Sequence, residues 1–148
     1  MAYHFKLDTV LMLRRNLEEV AQQKLAKELL VLDAHSRRLA EVKKAREDLI
    51  AEFEQKKKAP MNPAFFSFYM NSISRREQEI EGVLQLIANQ QKAVAKARHE
   101  LAERVKGKKV MEKAKERDYQ KYQHEELRKE QNEADEQMVL RFGRQDNG

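Results

Sequence analysis

Apolar residues recur three, four or seven positions apart along most of the chain, and charged residues occupy the positions between them. In the first part, from about Leu7 to Lys57, the repeating positions are Leu25, Leu29, Leu32, Leu39, Val42, Leu49 and Phe53. In the second part the same spacing recurs at Ile73, Ile80, Leu84, Ile87, Val94, Ala97, Leu101 and Val105. Sustained spacing of this kind, flanked by charge, is typical of the seam of a left-handed coiled coil.

The segment Ala59-Pro60-Met61-Asn62-Pro63 separates the two parts. Pro60 lacks an amide donor and disfavours helix in the residue before it, so the first helix is expected to end near Lys58. Asn62 followed by Pro63 predicts an N-cap and a first helical position. The predicted bounds are about 5–58 for helix 1, 59–62 for the turn and about 63–142 for helix 2, with Gly143 as the stop.

So short a connection places the helices antiparallel and side by side, which predicts an all-α fold of two long helices. The chain is then a single coiled-coil hairpin with a longer second helix. A turn centred near Pro60 places residue i opposite about residue 121 − i, and therefore Leu7 near Ala114. The rest of helix 2 is an overhang of roughly 40 Å. It is expected to fray without a partner, although charge pairs four residues apart are an alternative source of stability.

The composition agrees with long helices rather than a thick core. Among 148 residues there are 4 Gly, 2 Pro and no Trp, and 37% of residues are charged. Gly82 and Gly107 fall inside the second helix, where they predict local bends or close packing rather than breaks. No cysteine is present, which excludes disulfides and thiolate chemistry. With no run of 18 apolar residues and no signal peptide, the expected location is the cytoplasm.

Candidate chemistry is sparse. The four histidines, His4, His35, His99 and His124, lie too far apart for metal-ligand spacing along a helix. No glycine-rich phosphate-binding loop occurs, and acidic pairs such as Glu18-Glu19 point to different helix faces. We therefore predict a binding protein rather than an enzyme, with no catalytic residue, no metal and no cofactor.

Two segments are candidates for binding. Residues 96–117 hold nine basic and four acidic residues without an interleaved aromatic, which favours an acidic protein surface over nucleic acid. The turn region concentrates large apolar side chains at Met61, Phe65, Phe66, Phe68, Tyr69 and Met70. A narrow hairpin end cannot bury all of them. They form either an exposed adhesive patch or an aromatic plug that closes the coiled coil.

The sequence resembles the FliJ family along essentially its whole length. Phe5-Lys6-Leu7, Val10-Leu11, Arg14-Arg15 and Glu18-Glu19 are similar to the family's N-terminal signature. Lys113-Ala114-Lys115-Glu116-Arg117, Tyr119, Tyr122, Glu130-Gln131 and Asp135-Glu136 resemble its C-terminal part. The stretch from Phe68-Tyr69 through Ile73 to Gln90 fits the family's less constrained centre.

This resemblance implies a stalk component of the flagellar type III export apparatus, similar to the central stalk of rotary ATPases. The implied partners are the hexameric flagellar export ATPase, the cytoplasmic domain of the membrane export gate and export chaperones. The implied location is the cytoplasmic face of the inner membrane, reached only through those partners. Nucleic acid is not expected among them.

Carried onto this chain, the resemblance assigns two sets of binding residues. Contacts to the ATPase ring are expected at Leu7, Val10, Leu11, Arg14, Arg15, Asp135, Glu136 and Arg141. Contacts to the export gate are expected at Phe66, Tyr69 and Ile73. Three other interpretations stay open: a homodimeric coiled-coil scaffold, a related injectisome stalk protein and a nucleic-acid-binding coiled coil.

Overall fold

Two long α-helices account for most of the structure, a computed structural model that describes residues 2–146. Helix α1 spans Asp8–Lys56 and helix α2 spans Pro63–Asp146, and no strand occurs in the described residues. As residue numbers rise along helix α1, the numbers of their partners on helix α2 fall, so the helices are antiparallel. The predicted all-α hairpin with a longer second helix is confirmed.

The helix ends differ slightly from the sequence-based bounds. Helix α1 begins at Asp8 rather than at about residue 5, because the Asp8 amide donates to the Phe5 carbonyl in a preceding turn. It ends at Lys56, after which tighter bonds between residues three apart lead into Pro60. Helix α2 continues through Gly143 to Asp146. A glycine that stops a helix takes a positive φ, and Gly143 does not.

Helix α2 begins with the predicted cap. The Asn62 side-chain oxygen accepts a hydrogen bond from the Ala64 amide at 3.0 Å. The Asn62 carbonyl accepts from the Phe66 amide at 3.1 Å, which closes the first turn. Pro63 occupies the first helical position, where its missing amide has no cost. The N-cap prediction is confirmed.

The chain divides into two compact units. The first, which we call the terminal unit, consists of residues 1–19 and 103–148. Within it the structure describes residues 2–19 and 103–146. The second, which we call the turn unit, consists of residues 20–102 and includes the connection between the helices.

The turn unit is held together by a regular seam. On helix α1, at least partly buried residues alternate at spacings of three and four from Ala21 to Phe53. On helix α2 a matching series runs from Tyr69 through Val83 and Val94 to Leu101. This alternation is the heptad repeat that keeps one face of each helix against the other in a left-handed coiled coil.

Several seam positions are polar. Gln90 donates through its side-chain nitrogen to the Glu28 carbonyl at 2.9 Å and also to the Glu28 carboxylate. Arg46 pairs with Glu77 across the helices at 3.1 Å. In the described part of the chain no buried side-chain nitrogen or oxygen lacks a hydrogen-bond partner. Because a polar pair is satisfied in only one alignment, Gln90 and Glu28 fix the register.

The seam differs from the predicted one at two leucines. Leu29 and Leu84 were expected in the seam, but they are 37% and 46% exposed. Their sequence neighbours Glu28 and Val83 occupy the seam instead. The prediction assigned seam positions from the apolar residues alone. The positions that face the partner helix are set by the geometry of the whole helix, so Glu28 lies in the seam although it is polar.

The predicted register is followed closely. Tyr69 contacts Glu52, its expected partner. The Lys24 ammonium pairs with Glu100 at 3.2 Å, within one helical turn of the expected position. A turn of six residues, from Lys57 to Asn62, therefore sets the alignment of the helices in this unit.

Val42 provides a test of the seam, since it is almost fully buried in the turn unit. We expect Val42→Ala to lower the free energy of unfolding by about 2 kcal/mol, because two methyl groups leave the core and a cavity remains. The matched control is Val31→Ala on the same helix, where Val31 is exposed and a change of under about 0.5 kcal/mol is expected. Urea unfolding followed by circular dichroism measures both. Equal effects of the two variants would contradict the seam.

Candidate binding surfaces

The core of the terminal unit is made by the residues that precede and open helix α1. Phe5, Leu11 and Met111 are buried together, and Val10 and Ala114 pack against them. Phe5 reaches this core because the turn closed by the Asp8 amide directs the chain back onto helix α2. The apolar N-terminal pattern therefore stabilises the pairing of the helices.

Tyr3 attaches the first residues to helix α2. Its ring lies edge-on to Tyr119, with centroids 4.9 Å apart, and 5.2 Å from the Tyr122 ring. Its hydroxyl donates to the Asp118 carboxylate at 2.9 Å. Desolvation and then the hydrogen bond to Asp118 raise the pKa of Tyr3 to about 12. We call Tyr3, Tyr119 and Tyr122 the tyrosine clasp.

Charged contacts continue the pairing toward residue 19. The Lys108 ammonium lies 2.6 Å from the Glu18 carboxylate in the least exposed ion pair of the described chain. The hydrogen bond that Lys108 donates to Glu18 raises the pKa of Lys108. Lys115 pairs with Asp8 at 3.2 Å. These contacts hold the two helices of this unit in one alignment.

Gly107 allows one of these contacts. The Arg14 guanidinium donates to the Gly107 carbonyl at 3.0 Å, and a Cβ at Gly107 would lie 2.9 Å from it. Close packing at Gly107 is therefore confirmed. At Gly82 a Cβ would meet nothing within 4 Å, so no close packing requires that glycine.

The N-terminal residues expected to contact the ATPase ring fall into two groups. Leu11 is fully buried, Val10 is half-buried, and Arg14 is engaged with Gly107. Leu7 and Arg15 are exposed. The first group holds the helices together, and only the second presents side chains to another molecule. Met12 and Leu13 are also exposed and were missed, since their apolar character suggested no surface role.

The C-terminal members of the same predicted set lie elsewhere. Asp135, Glu136 and Arg141 are exposed on helix α2. Asp135 is 16 residues beyond Tyr119, or about 24 Å along the helix. The structure therefore does not bring these residues together with the N-terminal group. Beside them are exposed apolar side chains, which together with Leu127 we call the α2 end patch: Leu127, Met138, Val139, Leu140 and Phe142.

The hairpin tip contains an aromatic plug. Phe53 and Tyr69 are buried with ring centroids 5.4 Å apart, and the Tyr69 hydroxyl donates to Glu52 at 2.9 Å. The Lys57 ammonium lies 4.3 Å from the centroid of the Phe53 ring. Tyr69 raises the pKa of Lys56, whose ammonium is 5.7 Å from the tyrosine ring. One of the two predicted arrangements of the turn aromatics is thus present.

The other predicted arrangement is present as well. Phe65, Phe66, Phe68 and Met70 remain between 46% and 60% exposed, and we call them the tip patch. Of the residues expected to contact the export gate, Phe66 belongs to this patch and also touches Phe53. Tyr69 is only 3% exposed and Ile73 is half-buried. Those two side chains support the fold of the tip.

A family model for the flagellar FliJ protein matches residues 3–147. The chain belongs to the FliJ family. The match includes the tyrosine clasp, the tip patch and the α2 end patch. FliJ proteins form a non-enzymatic family of flagellar protein export, and this chain is a flagellar export-related protein on that basis. No curated protein and no solved structure gives a match to the chain.

Within residues 2–146, no group of three His, Cys, Asp or Glu side chains is placed to hold a metal ion. Over the same residues, neither helix has an apolar stretch long enough to cross a bilayer. What the described surfaces offer to another molecule is exposed apolar area bordered by charge.

The raised pKa gives a test of the tyrosine clasp. The folded pKa of Tyr3 is about 12 against an ordinary value of 10.0, so folding favours the neutral phenol. The contribution of the clasp to stability is complete below pH 10 and is lost as pH rises through about 12. In a tyrosinate absorbance titration we expect Tyr3→Phe to remove a late phase near pH 12. An unchanged late phase in that variant would mean that Tyr3 is not docked.

Proposed function

We propose that this protein is the central stalk in the ring of the flagellar export ATPase. In this proposal the α2 end patch and the exposed N-terminal residues Leu7 and Arg15 contact the ring. The region of the hairpin tip contacts the export gate. The protein also engages export chaperones, a role suggested by the family resemblance. The observation that carries the proposal is the exposed apolar surface at the end of helix α2.

That surface consists of large apolar side chains that are all exposed. From Leu127 to Arg144 every side chain is exposed, and Val139 and Leu140 reach 70% and 63%. A helix gains most of its stability from packing an apolar face, so a segment of this kind is suited to ordering against another protein. Asp135 and Glu136 lie one helical turn before Val139 and Leu140 on the same side of helix α2. A partner with an apolar site flanked by basic residues fits them.

The tyrosine clasp supports a mechanical role. It holds helix α2 against the N-terminal segment as far as Tyr122. The exposed part of the helix begins beyond that residue. Two paired helices lack six-fold symmetry and contact the subunits of a hexameric ring unequally. Such a stalk favours whichever nucleotide state of a subunit binds it more tightly, and by reciprocity that state strengthens its binding.

A second candidate function is a homodimeric scaffold. The turn unit exposes apolar residues outside its seam, with Leu30 at 70% and Leu86 at 49%. Two copies packed through these faces would form a four-helix assembly. Sedimentation velocity over a range of concentrations distinguishes the candidates, since a stable dimer without an effect on the ATPase favours the scaffold.

The direct test is the hydrolysis rate of the cognate flagellar export ATPase with and without this protein, with ring assembly followed by light scattering. We expect both to increase. Val139→Asp/Leu140→Asp should remove most of the stimulation, because two charges are placed where an apolar contact forms. Helix content should be unchanged, since both side chains are exposed. The matched control is Leu30→Asp, equally exposed but in the turn unit. Full stimulation by the double variant would contradict the proposal.

At the tip, Phe66 and Tyr69 are expected to behave differently. Phe66→Ala should weaken binding to the cytoplasmic domain of the gate, measured by calorimetry, while ATPase stimulation is retained. Tyr69→Ala should instead lower the free energy of unfolding by about 3 kcal/mol, because it removes a buried ring. If Phe66→Ala leaves gate binding unchanged, the gate contact lies elsewhere on the chain.

A further inference from the structure

Residues 55–76 form the longest stretch of the chain without an acidic residue. They carry five basic residues, Lys56, Lys57, Lys58, Arg75 and Arg76. The same stretch contains the whole tip patch. Residues 82–99 also lack an acidic residue but contain no Phe or Tyr, whereas the tip places three consecutive lysines beside four exposed large apolar side chains.

The basic side chains at the tip are only partly neutralised. Lys56 lies 3.7 Å from Glu52 and Lys57 lies 3.5 Å from Glu54, both in exposed pairs. Exposed pairs of this kind contribute little and exchange readily for other partners. Lys58 makes no ion pair with any residue between 2 and 146. The end of the hairpin therefore presents positive charge that an anionic surface can bind.

The tip patch occupies two flanks of helix α2. At about 100° per residue, Phe65 and Phe68 lie on one side of the buried Tyr69, and Phe66 and Met70 lie on the other. The side chains thus protrude on both flanks of the helix where the chain has just reversed. One flat protein surface would contact a single flank, whereas a fluid interface can surround both flanks together with the neighbouring lysines.

We propose that the hairpin tip binds directly to a membrane surface that contains anionic lipids. Phe65 and Phe68 enter the interfacial region, where aromatic rings are favoured. Lys56, Lys57 and Lys58 contact the lipid phosphates, and Lys56 and Lys57 exchange their exposed pairs with Glu52 and Glu54 for these contacts. The proposal does not depend on the stalk role. It departs from the sequence-based expectation that the membrane is reached only through partners.

The test uses the full chain and vesicles of two compositions. One is phosphatidylcholine alone, and the other contains about one third phosphatidylglycerol to supply negative charge. In co-sedimentation we expect at least about tenfold stronger partitioning to the anionic vesicles. Lys56→Gln/Lys57→Gln/Lys58→Gln should reduce that partitioning by about tenfold or more and flatten its salt dependence. Phe65→Ser/Phe68→Ser should reduce it by a similar factor.

The matched control is Met138→Ser/Leu140→Ser, which changes exposed apolar residues of the α2 end patch and should leave partitioning unchanged. All substituted side chains are exposed, and circular dichroism confirms that each variant remains helical. Equal partitioning to both vesicle types, or none to the anionic vesicles, overturns the proposal. In the second case an acidic protein surface becomes the better occupant of the tip.

A second measurement locates the inserted residue. The chain has no tryptophan, so Phe65→Trp provides a single fluorescent probe at the tip. We expect its emission to shift to the blue on addition of anionic vesicles. Phe142→Trp places the same probe in an equally exposed position of the terminal unit and should not shift. A shift of the Phe142 probe without a shift of the Phe65 probe overturns the proposal.

Discussion

Two helices can bury only the narrow strip along which they face each other, and this constraint governs the whole structure. A residue is buried if its position falls in the heptad phase, whatever its chemistry, and is exposed if it does not. Glu28 and Gln90 are therefore carried into the seam and hydrogen-bond there, while Leu29 and Leu84 are left in water. Stability accumulates in small increments along the helices, because there is no thick core in which a few residues dominate.

The same constraint explains where this protein exposes apolar surface. A strip accepts about two residues in seven, so any local excess of apolar side chains must remain at the surface. Such excesses occur at the hairpin tip and toward the end of helix α2. At the tip, Phe53 and Tyr69 fill the strip and leave Phe65 and Phe68 outside. Beyond Tyr122, every side chain from Leu127 to Arg144 is exposed, and Val139 and Leu140 are among them.

Much of the fold could be predicted from sequence because it follows from local rules. The cap at Asn62 and the turn at Pro60 set the antiparallel pairing and its register within one helical turn. The heptad phase of the seam was harder to predict, since the apolar spacing at Leu29 and Leu84 is compatible with a strip shifted by one position. The end of helix α2 was misplaced because Gly143 is tolerated within a helix as well as after one.

The candidate binding residues were less predictable for a physical reason. Leu11 and Tyr69 matched the family pattern, yet a matching residue can maintain the fold or contact a partner, and sequence does not separate these roles. Leu11 is buried against Met111, and Tyr69 is held by Phe53 and Glu52. Exposed residues such as Met12 could not be predicted as surface contacts, because apolar residues outside a seam have no periodicity of their own.

The tyrosine clasp determines how force passes along helix α2. A paired helix resists bending much more than a single helix, so compliance begins where the pairing ends. Contacts of Tyr3 place that point at Tyr122. Without them the last cross-helix contact would be the pair of Lys115 with Asp8, and the compliant segment would lengthen by about 10 Å. Tyr3, near the N-terminus, therefore determines how long a segment of helix α2 remains unpaired toward the C-terminus.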